Sequence, residues 1–550
     1  MHLLLCFYQT TLLSVWSLYT MIGKIGGNDM KKRIIASLLT IIMVAALFSG
    51  CGSGADKTDG TAKTEGTGKT EETGKTETKD SDSESIPVVK MAYAVVFPSP
   101  DEKAIEDELN KILREKARAE IDLVGIEFGN WATQLNLMLT GGGADSLDLF
   151  SSFWYTSVSN LVSNGQVMKL DDLLANEGSD IKGLFKDGLE EILGCGVVNG
   201  AQYGIPCMYS YSTENLYYAR TEDVAKANID WSQVNSIDTM SDAILKIKAA
   251  NPDKYYIPGA TEPYWIPKSI DYLGDTNYLG VLTNPTESTT VENYYESEYF
   301  LNFLGHVKKW KEAGVFSPDP LSNSNPTLMN LLMGVANGTP GYAWDAAVSM
   351  KSTIAQNGID LEGTNVTKAL STTSDATTYM WHISSFSKNP EAAMRILNVL
   401  YTDADAAQLI ANGIEGLEYV LNEDGQMVYP EGKNGMADLG WAAASMAYWP
   451  NVMLCKTWAW EPKDIYARML EKNKTCDKSL ALGFSFDSSK VTDQMTACAN
   501  VVAQYYTPLM YGEVDIDSTL VDFQTALKKA GIDDIIAEKQ AQLNTWLENK

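Results

Sequence analysis

Val88-Val89-Lys90-Met91-Ala92-Tyr93-Ala94-Val95-Val96-Phe97 is followed by Pro98-Ser99-Pro100-Asp101, and then by Ala104, Ile105, Leu109, Ile112 and Leu113 at helical spacing. The first stretch reads as a mostly apolar strand, Asp101 as an N-cap after Pro100, and the apolar residues beyond it as one face of a helix. Together they form a βα unit. Ile121 to Phe128 repeats the strand, Gly129-Asn130 turns the chain, and Trp131 to Leu139 reads as a second helix. Ser146 to Phe150 is a third short strand, running into the polar and aromatic Ser151-Ser152-Phe153-Trp154-Tyr155. Strands alternating with helices predict an α/β fold with a parallel sheet covered on both faces. Ligands bind beyond the carboxyl ends of such strands, so loops 97–101, 129–131 and 151–155 are expected to converge on one rim.

Toward the N-terminus, Lys31, Lys32 and Arg33 precede the apolar run Ile34 to Phe48, which is too short for a comfortable bilayer span, and Ser49-Gly50-Cys51 follows. This resembles a bacterial lipoprotein signal over 30–50. The resemblance implies that Cys51 is diacylated, becomes the new N-terminus and anchors the rest of the chain to the outer face of the cell membrane. Phe48 departs from the aliphatic residue usual at that place. Residues 1–29 fit this poorly, since a signal begins at its own charged region. Ile25-Gly26-Gly27-Asn28-Asp29 is encodable as a ribosome-binding run before Met30, which makes 1–29 a mis-called upstream extension. The other reading is a genuine apolar segment, Leu3 to Met21.

From Gly52 to Ser85 the chain is almost wholly Gly, Thr, Lys, Glu, Ser, Asp and Ala, with Thr-Gly-Lys-Thr-Glu at 67–71 and again at 73–77. No core can be built from that composition, so 51–85 reads as a lipidated Cys and a disordered tether. Such a chain has a root-mean-square span of about 30 Å and stretches to roughly 110 Å. Gly66-Thr67-Gly68-Lys69-Thr70 imitates the end of a phosphate-binding loop, but Lys63 stands where its leading glycine is required. No nucleotide or other cofactor motif is found elsewhere.

The net charge of −28 disfavours nucleic acid and anionic lipid as partners. Beyond Cys51 the cysteines are Cys195, Cys207, Cys455, Cys476 and Cys498, an odd set. Pairing of Cys195 with Cys207 or Cys476 with Cys498 is conceivable, and connectivity stays open. His306 and His382 have no ligand-spaced neighbours, so no metal is expected.

Asp-Glu-Leu-Asn-Lys at 107–111, Gly-Asn-Trp-Ala-Thr-Gln-Leu at 129–135, Asp-Leu-Phe at 148–150, Gly-Gln-Val-Met-Lys-Leu-Asp-Asp-Leu-Leu at 165–174 and Asn-Gly-Ala-Gln-Tyr-Gly-Ile-Pro at 199–206 stand in the order of one known pattern. It is that of extracellular solute-binding proteins of family 1, which the chain resembles over nearly all of 86–550. Pro-Glu-Ala-Ala-Met-Arg-Ile-Leu at 390–397, Gly-Ile-Glu-Gly at 413–416, Ala-Gly-Ile-Asp at 530–533 and Gln-Ala-Gln-Leu at 540–543 are similar to the subgroup with a DUF3502 C-terminal region. The resemblance implies a two-lobed, periplasmic-binding-protein-like fold with a hinge and a ligand cleft. It places lobe 1 at 86–208, lobe 2 at 209–390, and a C-terminal helical region at 391–550 that contributes to both lobes and the hinge.

Aromatic usage agrees with a sugar site, since a pyranose offers an apolar C–H face and a ring of hydroxyls to flat platforms and polar partners. The candidate ligand-binding residues are Trp131, Trp154, Tyr155, Tyr209, Tyr211, Trp265, Trp344, Asp345, Trp381, Glu415 and Trp449. Trp458 and Trp460 before Glu461 have the same character. Trp131, Trp344 and Trp449 stand out because Gly or Pro beside them marks turns, where side chains reach a cleft. The implied function is capture of a small solute, an oligosaccharide above all, and its delivery by a monomer to the permease of an ABC importer. Two other readings remain: a binding protein for peptides or another non-sugar solute, and a secreted glycoside-active enzyme, which needs two carboxylates at a defined separation.

Overall fold

The computed structural model describes residues 86–550 apart from 141–142, 144–145, 154–155, 260–263, 324, 326 and 442–447. The signal, Cys51, the tether, Trp154 and Tyr155 therefore lie outside the described residues. Strand β1 (Val88–Val95) buries Met91, Ala92, Tyr93 and Ala94 completely, as a central strand covered on both faces must. Helix α1 (Glu102–Lys116) turns Ile105, Leu109 and Leu113 onto it. Asp101 holds the N-cap position, but its side chain makes no capping bond; its N–H donates instead to the Gly440 carbonyl at 3.0 Å. Strand β2 (Glu120–Glu127) runs parallel to β1, from Val88 opposite Glu120 to Val95 opposite Glu127. Buried Asn110 bonds both the N–H and the carbonyl of Ile121, at 2.7 and 3.0 Å, and so fixes α1 to β2. Helix α2 (Trp131–Met138) and strand β3 (Leu149–Ser151) complete the alternation, with β3 parallel to β1.

After β4 (Ile205–Pro206) the chain crosses through 207–213 into β5 (Glu214–Arg220). A second core forms there around α3 (Ile237–Ala250) and α4 (Glu298–Glu312), and β6 (Gly338–Ala343), α5 (Ala346–Asn357) and β7 (Leu361–Asn365) complete that lobe. Its sheet is antiparallel throughout, in the order β6-β5-β7. The chain then returns, and β8 (Met380–Ile383) enters the first sheet antiparallel to both β3 and β4, giving the order β2-β1-β3-β8-β4. The parallel sheet expected from sequence is thus realised only in β2-β1-β3. A strand returning from the other lobe needs no crossover helix and is free to run against its neighbours. Residues 380–383, which sequence grouped with 209–390, pair within the first sheet for the same reason.

Helices α6 (Pro390–Thr402) and α7 (Ala404–Asn412) pack on the first core through Ala393, Ile396, Leu397, Leu400 and Ile410. After α8 (Ile465–Thr475) the chain crosses a third time, and α9 (Thr492–Met510), α10 (Ile516–Ala530) and α11 (Ile532–Asn549) close the second core with Phe523, Leu527, Ile535 and Leu543. The three crossings are bonded side by side: Thr213 bridges Leu370, and Leu370–Ser371 pairs in parallel with Asp477–Lys478. Buried Asn473 on α8 ties in the first crossing, accepting from Tyr211 N–H at 2.9 Å and donating to the Tyr209 carbonyl at 2.7 Å.

Cys195, Cys207, Cys455, Cys476 and Cys498 are all free, so neither conceivable disulfide is present. Cys207 Sγ bonds the Tyr448 carbonyl of the first lobe, and Cys498 is buried in the second core.

His382 is fully buried on β8, its ring stacked on Phe150 at 5.3 Å and its Nδ1 2.9 Å from the Tyr203 carbonyl. Burial lowers its pKa from 6.5 to about 4, against the opposing pull of that carbonyl. The unfolded chain therefore binds this proton more readily. Stability is undiminished above 6.5 and falls as pH drops toward 4, by about 3 kcal/mol from this group. Urea unfolding of His382→Gln between pH 7 and pH 4 is expected to lose that much less stability than the unaltered protein; parallel curves would refute it.

Candidate ligand cavity between the two lobes

A cavity of about 870 Å³ opens where the crossings run between the two cores. The first crossing contributes Tyr209, Tyr211 and Thr213, and the second contributes Asp375, Thr378 and Tyr379. Lobe 2 contributes Lys268, Tyr272 and Tyr278 from one loop, and Tyr342 and Trp344 from the end of β6 and the residue beyond it. The segment leading into α8 adds Trp458 and Glu461, and the first turn of α8 adds Tyr466. Aromatic rings thus face the space from several sides, with hydroxyls, an ammonium and carboxylates between them. Tyr342 stands out as a half-exposed ring, 52% accessible.

The cavity lining carries a buried charge pair. Lys268 Nζ lies 3.3 Å from Asp375 Oδ1 and 4.8 Å from the centre of the Tyr342 ring. Thr213 donates to Asp375 Oδ1 at 3.1 Å and Thr372 to Oδ2 at 2.8 Å, so both carboxylate oxygens are engaged. Burial alone would depress the Lys268 pKa; the Asp375 carboxylate and the Tyr272 and Tyr342 rings more than reverse this and raise it. Glu461 behaves oppositely. Burial pushes its carboxyl above the usual range, only partly offset by the Trp458 N–H that it accepts at 3.0 Å.

Trp344 is held by α8. Lys472 Nζ bonds its carbonyl and ion-pairs with Glu214 at 2.8 Å, while Lys472 Nζ and the Arg468 guanidinium each stand 5.9 Å from its ring centre. Asp345 caps α5, accepting the Val348 N–H at 3.1 Å, and pairs with Arg468; it does not line the cavity.

Of the residues singled out from sequence, the fold brings Tyr209, Tyr211, Trp344, Trp458 and Glu461 together around this space. Four tryptophans lie inside the lobes. Trp131 is 1% accessible and meets Phe153 edge-on at 4.7 Å. Trp265 packs on Phe303 at 5.5 Å in the second core, with its Nε1 donating to Tyr299 Oη at 3.2 Å. Trp381 donates to the Tyr448 carbonyl at 2.7 Å and stacks on Trp449 at 6.1 Å, both rings fully enclosed. Glu415 is exposed in a turn bridged to Tyr419. Two of the three loops expected at the rim meet: Phe153 contacts Trp131, along with Phe128, Tyr379 and Tyr448, and Tyr379 carries them to the cavity edge, while Asp101 of 97–101 bonds Gly440 instead.

Residues 100–407 match the family described as bacterial extracellular solute-binding protein. The chain belongs to that family. As an extracellular solute-binding protein it works outside the cytoplasm, and among its described residues no helix is long and apolar enough to cross a membrane. Residues 480–548 match a domain of unknown function, DUF3502. A carbohydrate ABC transporter substrate-binding protein of Streptococcus pneumoniae is 28% identical over 487 residues, 86% of this chain and 93% of that one. The N-glycan transport solute-binding protein NgtS of S. pneumoniae, a crystal structure 22% identical, superposes with a TM-score of 0.73 over 84% of this chain and 99% of its own. An HMO-binding, ABC-transporter-associated solute-binding protein of Bifidobacterium longum infantis, 14% identical, gives 0.59 over 84% of this chain and all of its own. These two structures share the two-lobed fold.

Sequence reading passed over Lys268, Asp375, Tyr342 and Tyr379 in this solute-binding protein. Tyr342 carries the same signal as Trp344, an aromatic just past Pro340-Gly341. Lys268 and Asp375 carry none, because their pairing is made only by the fold. Asp375→Asn leaves an ammonium without a counterion where Lys268 is 9% accessible, and is expected to cost about 3 kcal/mol in chemical denaturation. The double change with Lys268→Met should recover most of it; a double variant no more stable than the single one would contradict the pairing.

Proposed function

We propose that the protein captures an oligosaccharide in the cavity between its lobes and delivers it to the permease subunits of an ABC importer. The observation that carries this is the lining itself: Tyr342 and Trp344 from lobe 2 line the space together with Tyr209 and Tyr379 from the crossings, and Thr, Glu and Lys groups line it with them. Such surfaces suit the apolar faces and hydroxyl edges of pyranoses. The cavity ammonium is already matched by Asp375, which suits a solute without net charge. The carbohydrate relative in Streptococcus pneumoniae supports the same solute class.

Solute docks on one lobe, rotation about the bonded crossings brings the other against it, and the closed form presents it to the permease. The protein acts as a monomer held at the membrane surface by lipidated Cys51, with 52–85 as its tether. The site binds rather than reacts. Glycoside hydrolysis requires two available carboxyl groups, and of Asp375 and Glu461 the first is fully engaged by Thr213, Thr372 and Lys268.

Calorimetric titration of the purified protein with neutral oligosaccharides, mannose-containing N-glycan fragments among them, is expected to give saturable binding with no cleavage product on chromatography. Trp344→Ala and Tyr342→Ala should each weaken it on the order of tenfold, the worth of one lost aromatic platform. Binding of short peptides but no sugar, or release of product, would overturn the reading.

A further inference from the structure

The segment that brings Tyr272 and Tyr278 to the cavity has an unusual backbone. Leu273, Gly274, Tyr278 and Gly280 all have positive φ, at 49°, 80°, 55° and 91°. Leucine and tyrosine resist that region, so surrounding structure must hold them there. Asp275 does so from within, accepting the Asn277 N–H at 2.9 Å through Oδ1 and the Leu279 N–H at 3.0 Å through Oδ2. Its carboxylate is held from outside by Lys539 of α11, whose side chain is wholly buried; Nζ lies 3.2 Å from Asp275 Oδ2 and 3.1 Å from the Gly280 carbonyl, over the Phe486 ring at 5.2 Å. A Cβ on Gly280 would meet Lys539 Cδ at 3.2 Å and Ile536 Cγ1 at 3.3 Å, so α11 is seated directly against the loop. The next residue, Gln540, accepts the Val291 N–H at 2.7 Å and donates to the Thr289 carbonyl at 3.1 Å, fixing the strand-like return. Tyr506 of α9 packs on Tyr278 at 6.2 Å. Lys539 itself lines no part of the cavity.

We propose that the C-terminal region of unknown function shapes the solute site: α11, through Lys539 as a positioning residue, holds loop 271–282 in the conformation that presents Tyr272 and Tyr278 to solute. The inference rests on the cavity being the solute site. A buried ammonium is costly unless paired, and among the described residues this one bonds the loop's carboxylate and one loop carbonyl. Affinity then depends on a side chain that never touches solute, because an unheld loop must be ordered anew at each binding event.

The test uses the full-length protein and two variants. Lys539→Met removes the hold from α11 and leaves Asp275 its own bonds to the Asn277 and Leu279 N–H groups; Lys539→Met with Asp275→Asn, which removes both charges, serves as the second. Hydrogen exchange of 271–282 is expected to quicken about tenfold or more in both, while strands 88–95 and 120–127 exchange as before. Titration with a mannose-containing N-glycan fragment should show affinity lower by about tenfold, the cost of ordering a freed loop. Glu538→Gln, on the same helix as Lys539, loses the ion pair to exposed Lys490 and should alter neither. Unchanged loop exchange, fast loop exchange with affinity kept within about twofold, or an equal effect from Glu538→Gln would each overturn the proposal. If the unaltered protein binds no sugar, the carbohydrate reading falls, and the exchange data alone still decide whether Lys539 holds the loop.

Discussion

Backbone pairing among the three crossings is the constraint on which the rest of the protein depends. Thr213, Leu370–Ser371 and Asp477–Lys478 lie side by side, so two separately packed cores are joined by a narrow bonded strip rather than by a broad apolar interface. Such a strip resists shear yet allows rotation about its length. It also explains the cavity's composition: Tyr209, Tyr211, Thr213, Asp375 and Tyr379 are crossing residues, placed beside the hinge because the chain must pass there.

Several polar groups of that cavity are satisfied by the protein itself. Asp375 has two threonine hydroxyls and an ammonium, and Trp344 is braced by Lys472 and flanked by Arg468. A preorganised lining spends little ordering entropy on binding. Glu461 is held differently, a carboxyl raised by burial with one backbone N–H to steady it.

Much of the first lobe was legible in sequence because period and punctuation agree there. Val88 to Val95 is apolar on both faces, α1 repeats its apolar residues at helical spacing, and Gly129-Asn130 marks the turn before α2. The antiparallel entry of β8 was not legible, since its partners on β3 and β4 are set by a return from the other lobe and leave no local trace. The candidate site was legible in kind but not in detail. Aromatic residues beside Gly or Pro were expected to reach a cleft, and Trp344 does, while Trp131 and Trp449 turn inward to fill the rim with Phe153 and Trp381. Local sequence gives a turn but not the direction of the ring it carries. Lys268, Asp375 and Lys539 act through partners far along the chain, which no spacing rule reaches.

The most direct measurement is a crystal structure of the protein grown with the neutral oligosaccharide that binds it. Sugar rings resting on Tyr342 and Trp344 on one side and on Tyr209 and Tyr379 on the other, with both lobes in contact, is the predicted result. Sugar held by one lobe alone, or seated outside this cavity, would contradict the account.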